Sequence, residues 1–314
     1  MNFRVLFLVA IGLIAFTAHA QEKLKRVFGY DPVVLVDTGK QVSGLSEISV
    51  SRYEFTYLFA NAKSKAAFLR NPKKYEFQFG GACGRMGPLS GIGNPNHFLV
   101  KDGKLYAFAS APCKLTFERY SERLLEADEP KPKVSRESQD LGKRLAEKVL
   151  AAHGGREAIL RLGAIEMVHS GSRIAGNRTY RFDSRFAFDL SKGMYADAET
   201  WDDYQYGNAT TGKISAFISN HRSDFIMHPD QARALNRKAG RHLVSVLWAL
   251  AKRSALVYVN PDSPSSLNYW KDGVAMKLEI SASGKIEVQE YVERGPESFM
   301  GKIRREDQEW QTYK

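Results

Sequence analysis

The sequence predicts an α+β protein: a small strand–helix module followed by a larger antiparallel half-barrel wrapped around helices. Three observations predict it. A strand–helix pattern occurs twice within the first 125 residues, a polar stretch broken by prolines follows, and beyond it come strands of alternating character interrupted by helices. A length of 314 residues accommodates two such modules. With 43% hydrophobic and 26% charged residues, the composition excludes a disordered or collagen-like chain.

Residues 1–20 (MNFRVLFLVAIGLIAFTAHA) read as a secretory signal peptide. Arg4 precedes an apolar run from Val5 to Phe16, and Ala18 and Ala20 flank His19 in an A-x-A-like cleavage site. The run is short for a bilayer span, which needs about 20 residues. No cysteine stands at the cleavage site, so a lipoprotein signal is excluded. The expectation is a periplasmic protein in an oxidising compartment. Cleavage removes Arg4 and no acid, lowering the formal +11 by one charge. The densest basic clusters, residues 23–26 and 237–241, lack the interleaved aromatics of a single-strand groove. Nucleic acid is therefore not an expected partner, whereas an anionic membrane surface is.

Within the first module, Tyr57, Phe59, Ala60, Ala62 and Phe68 each match the residue 49 positions later. Each copy reads as a short strand (54–59, 104–108) running into a helix (62–69, 112–124). Asn61 and either Ser110 or Ala111 stand where helix caps belong, Asn61 and Ser110 being good cap types, and Pro112 suits a first helical turn. Ser64 of the first copy corresponds to Cys113 of the second. Between the copies lies Phe79-Gly-Gly-Ala-Cys83-Gly-Arg-Met86-Gly, then a loop reaching His97. Asp102-Gly103 marks a hairpin turn.

Residues 126–139 (EADEPKPKVSRESQ) carry Pro130 and Pro132 and almost nothing apolar, so they read as a linker. The second module, 140–314, opens with a helix over 141–152 that stops at Gly154-Gly155. Strands are expected at 165–173, 177–188, 193–200, 203–206 and 214–219, helices at 229–237 and 241–253, and closing strands at 274–280, 286–292 and 309–313. The 241–253 helix is apolar almost all round, through Leu243, Val246, Leu247, Trp248 and Leu250, so it must be surrounded by the sheet.

The first module resembles the YHS domain family over residues 28–125. The likeness is carried by Gly29-Tyr-Asp-Pro-Val33, Tyr57-Leu-Phe, Asn71-Pro-Lys-Lys-Tyr75, Gly80-Gly-Ala-Cys83, Asp102-Gly-Lys-Leu-Tyr106 and Phe108-Ala-Ser-Ala-Pro-Cys113. The Tyr-His-Ser tripeptide is absent, and Ala109 stands where many relatives carry a further cysteine. The resemblance implies binding of a heavy metal such as copper. The second module is similar to the lipoprotein-carrier (LolA-like) superfamily through its element order and its Ala152-His-Gly-Gly155 step. That likeness implies an apolar ligand, such as a lipid, held by Trp248, Leu247, Leu243 and Phe217; ordinary core packing is the alternative.

The chain has only two cysteines, which excludes a disulfide-dense scaffold and a multi-cysteine cluster protein. Cys83 and Cys113, with Met86 and His97 as additional donors, would make a soft set suited to copper or zinc. A structural or redox disulfide is the competing reading; closing a loop of about 30 residues would stabilise the fold by roughly 3.5 kcal/mol. Two buried thiols are the third. Enzyme signatures are absent: His221 and His228 near Asp224 and Asp230 match no tight metal spacing, and Ser90 lacks a nucleophile-elbow context. The expected function is thus non-enzymatic metal binding or handling with an apolar-ligand domain, or else a carrier stapled by a disulfide.

Overall fold

The computed structural model describes residues 26–125, 128–175, 178–201, 204–211, 214–219, 225–291 and 303–306. The expected signal peptide, the strand at 309–313, and His221 and Asp224 lie outside them. The chain is α+β, with antiparallel sheets that do not close into a barrel. It divides into two compact units, one from residues up to 124 with 165–235, the other from 125–164 with 236–314. The stretch 140–314 thus contributes to both units.

The first unit begins with β1 (Arg26–Phe28), α1 (Pro32–Thr38), β2 (Leu45–Arg52) and β3 (Phe55–Phe59). Asp31 starts α1: its Oδ1 accepts the backbone N–H of Val33 at 2.9 Å and of Val34 at 3.1 Å, and Oδ2 accepts Ala60 N–H at 2.9 Å. Three donors satisfy a carboxylate that is wholly buried. After β3 come α2 (Ala62–Arg70), the short α3 (Pro72–Tyr75), the hairpin β4 (Asn94–Lys101) and β5 (Lys104–Phe108), and α4 (Ala111–Leu124). Strand β1 pairs parallel to β3, and β2 pairs antiparallel on its other side. The repeat is real in three dimensions: β3–α2 and β5–α4 are its two copies. Both caps are made, Asn61 Oδ1 accepting Ser64 N–H at 2.9 Å and Ser110 Oγ accepting Cys113 N–H at 3.5 Å. Asp102 and Gly103, at φ 51° and 68°, form the expected hairpin turn. Phe28, Phe55, Tyr57, Phe59, Phe68 and Phe77 build the core under these strands. Each such ring contributes about 1.5–3 kcal/mol by leaving water.

Residues 165–235 add a six-stranded antiparallel sheet: β6 (Ala164–Ala175), β7 (Arg178–Asp189), β8 (Met194–Trp201), β9 (Tyr204–Thr210), β10 (Ser215–Ser219) and β11 (Phe225–Ile226), in sequential order.

The second unit contains α5 (Arg136–Ala152) and α6 (Arg156–Arg161); α7 (Pro229–Gly240) straddles the unit boundary, and α8 (Leu243–Ala251) follows. A second sheet, β12 (Leu256–Tyr258), β13 (Ser266–Lys271), β14 (Val274–Ile280), β15 (Ile286–Tyr291) and β16 (Ile303–Glu306), completes it. The strands expected to form one half-barrel lie in two separate sheets, β6–β11 and β12–β16. Helix α8 is buried as its sequence demands, with Val246, Leu247 and Leu250 in a core shared with Val149, Leu267 and Leu278.

The expected linker also needs correction at its end. Ser135 Oγ accepts Ser138 N–H at 3.1 Å, so the helix starts at Arg136 and absorbs four polar residues that looked unstructured. The preceding segment is fastened within its own unit: Glu129 N–H donates to Gly273 O at 2.9 Å and Trp270 Nε1 donates to Glu129 O at 2.8 Å. Among the described residues no helix is long and apolar enough to cross a membrane.

Candidate functional site

The glycine loop between the repeat copies delivers Cys83. Phe79, Gly80 and Gly81 all take positive φ, at 59°, 63° and 84°. Gly81 must be glycine twice over, since a Cβ there would lie 2.0 Å from the Phe55 ring. The loop then pairs Cys83 with Ala107 of β5, and Cys83 O accepts the N–H groups of Met86 and Gly87, each at 2.9 Å. This tight turn swings Arg85 and Met86 back beside the cysteine.

Cys113 arrives from the other side, in the first turn of α4. Both cysteines are free thiols, close enough to act on each other electrostatically. Their settings are unequal. Cys83 is 2% exposed and its Sγ accepts Ala109 N–H at 3.3 Å; Cys113 is 9% exposed. Arg85 Nη1 lies 4.0 Å from Cys113 Sγ and 3.9 Å from Met86 Sδ, so one guanidinium touches two sulfurs. Burial pushes the Cys83 thiol above the ordinary cysteine range, and its backbone hydrogen bonds only partly oppose this. Burial acts the same way on Cys113, but hydrogen bonds from Ser110, Arg85 and Cys83, with the Arg85 charge, hold it below that range.

Met86 Sδ thus shares the Arg85 guanidinium with Cys113 Sγ, a contact His97 does not make. The β4–β5 register slips between Asn94, opposite Phe108, and Phe98, opposite Ala107, which leaves His97 in a bulge. Among the described residues no three His, Cys, Asp or Glu side chains form a group able to hold a metal ion. Arg85 carries no sequence signal for this role beyond being a cation two residues from a cysteine.

The four residues expected to hold an apolar ligand divide. Leu247 is in the core of the second unit, with Leu243 and Trp248 packed against it. Phe217 is on β10 of the first unit, stacked on Tyr206 at 6.3 Å. A cavity of about 460 Å³ in the second unit is lined by Ala146, Leu250, Leu256 and Val257, with Lys143 and Arg253 among its charged residues. None of the four expected residues lines it.

The first unit also buries an ion cluster that sequence spacing did not reveal. Glu76, 1% exposed, meets His228 Nε2 through Oε1 at 3.1 Å and Arg52 Nε through Oε2 at 2.6 Å. His228 Nδ1 lies 3.4 Å from Asp230 Oδ2, and the Tyr53 ring packs edge-on at 4.8 Å. Burial opposes ionisation of Glu76, yet the hydrogen bonds from His228 and Arg52 hold its carboxyl below the usual glutamate range. With partners on both imidazole nitrogens, the cluster is a closed clamp fixing the chain just ahead of the Cys83 loop.

No family model, curated protein or solved structure matches the chain.

Proposed function

We propose that the chain is an exported, non-enzymatic metal-handling protein. In this reading its YHS-like module, 28–125, binds a soft monovalent ion of the Cu(I) class through Cys83 and Cys113, with Met86 as third donor. The observation that carries it is the donor and charge count at the paired sulfurs. Two thiolates and one Cu(I) leave a single negative charge, and Arg85, 4.0 Å from Cys113 Sγ, provides the opposite one. Zn(II) would neutralise the two thiolates by itself, leave Arg85 uncompensated and require further donors, and no third His, Cys, Asp or Glu joins the pair among the described residues. Sulfur donors at low coordination number suit Cu(I). Titration of the reduced protein with Cu(I) against a chromophoric chelator tests this. One ion per chain is expected, lost in Cys83→Ser and Cys113→Ser; a reduced wild type that takes no Cu(I) from the chelator refutes it.

A second reading makes residues 140–314 a LolA-like carrier of a lipid or other apolar ligand. The cavity of about 460 Å³ with Leu250, Leu256 and Val257 in its wall favours it. Lipid in an organic extract of protein purified from the periplasm would support this reading. An empty extract, together with no uptake of a fluorescent fatty acid, would remove it.

A further inference from the structure

The two thiols are free, near one another, and unequally placed. Cys83 Sγ lies beneath backbone at 2% exposure, held by Ala109 N–H, whereas Cys113, at 9% exposure and with its own N–H capped by Ser110, sits in the first turn of α4, which runs from Ala111 to a kink at Tyr120. Arg85 sets a positive charge against Cys113 Sγ, and its Nε is buried with no hydrogen-bond partner. A sulfur with a cation beside it and a second thiol nearby is the arrangement in which one thiol attacks and the other resolves.

We propose that this pair performs thiol–disulfide exchange with a small anionic disulfide, Cys113 attacking and Cys83 resolving. Arg85 selects for the anionic class, because its charge attracts a carboxylate-bearing thiol compound and stabilises the thiolates that form and leave. Cys113 Sγ, its proton gone to solvent, attacks one sulfur of the small disulfide; that S–S bond breaks and one thiolate departs. Cys83 then passes its proton to the departing thiolate and attacks Cys113 Sγ. The mixed disulfide breaks, releasing the second half of the reagent. The protein loses two electrons and two protons, and one small disulfide becomes two thiols. The reverse reaction, driven by excess small thiol, restores the dithiol. The inference uses the same sulfurs as the metal reading but does not rest on it.

The test is run on the reduced protein in chelator-treated, metal-free buffer, with oxidised glutathione as the probe and acid-quenched mass spectrometry as the readout. Wild type is expected to lose two hydrogens without retaining an adduct. Cys83→Ser is expected to accumulate one glutathione on Cys113, and Cys113→Ser to react at least about tenfold more slowly. Arg85→Met is expected to slow wild-type oxidation by about tenfold. Equal adduct rates in the two serine variants, or a wild type that stays reduced while its thiols remain open to alkylation, overturns the proposal. Should a variant fail to fold, brief iodoacetamide labelling of wild type decides: Cys113 labelled first supports the assignment, and Cys83 labelled first or equally overturns it. A protein that exchanges disulfides yet takes up no Cu(I) removes only the metal reading.

Discussion

Replacing Glu76 by Gln keeps the volume of the side chain and removes its charge from the buried clamp. The carboxylate is 2% exposed and makes two charge-assisted contacts. The contact to His228, itself 6% exposed, is fully desolvated and is worth about 1.5–3 kcal/mol. The contact to Arg52 is screened, because that guanidinium is 33% exposed, and is worth about 1 kcal/mol or less. The loss should therefore come to about 3 kcal/mol, near the low end for breaking a buried ionic network. It should be local to the first unit. Hydrogen–deuterium exchange resolved by peptide reads it as lost protection over residues 76–83 and 225–231, with 246–251 and 274–280 unchanged. The pH dependence has a fixed sign. The folded-state carboxyl titrates below its unfolded value of about 4.3, so the advantage of wild type over Glu76→Gln is complete above that pH. The advantage shrinks as pH falls through the lowered value. A change under about 0.5 kcal/mol, or one spread equally over both units, would refute the assignment of the clamp.

Other substitutions separate structure from chemistry. Met86→Leu, at a position 38% exposed, should leave stability within about 1 kcal/mol while weakening Cu(I) binding in the chelator competition. An unchanged Cu(I) affinity would take Met86 out of the donor set. Gly81→Ala combines a φ of 84° with a Cβ 2.0 Å from Phe55, and should cost about 2–4 kcal/mol in denaturant titration. Asn61→Ala should cost about 0.5–2 kcal/mol through loss of the α2 cap, with no effect on Cu(I) uptake. The loss of thermal stability should be similar in Ser110→Ala, which alone should also raise the pH at which Cys113 becomes alkylatable.

The sequence made some features legible because a local signal encoded them. The repeat, its two caps and the Asp102-Gly103 turn depend on neighbours within a few residues, so spacing alone reveals them. Helix α8 was legible because an all-apolar surface has a single physical solution. What was hidden depends on distance in the chain. Glu76 and His228 are 152 residues apart, and neither has a local pattern that names the other. The strand Ser266–Lys271 buries Leu267 and Tyr269 in alternation, but it is short and polar at both ends, so it is not among the expected strands. The start of α5 resembles a linker in sequence because a helix with a polar first turn is stabilised by its Ser135 cap rather than by burial.

Of the candidate site, Cys83, Cys113 and Met86 came from residue type, whereas their grouping comes from the repeat. Both copies place an N-cap side chain over the backbone N–H three residues on, and the residue there is Ser64 in one copy and Cys113 in the other. The helix start alone would give Cys113 no partner. The glycine loop, threaded between the copies, brings Cys83 onto β5 and turns Arg85 back over Cys113. The first copy runs from α2 through α3 to Glu76 without such a loop, and its Ser64 stays a 7% exposed cap-bonded residue. The chemistry proposed for this module rests on an asymmetry between two similar halves: the same helix start, supplied in only one of them with a second sulfur and a cation. Swapping Ser64 for cysteine should therefore create an ordinary buried thiol, silent toward both Cu(I) and oxidised glutathione in a Cys83→Ser/Cys113→Ser background. Uptake of either by that variant would show that the helix start, and not the loop, carries the chemistry.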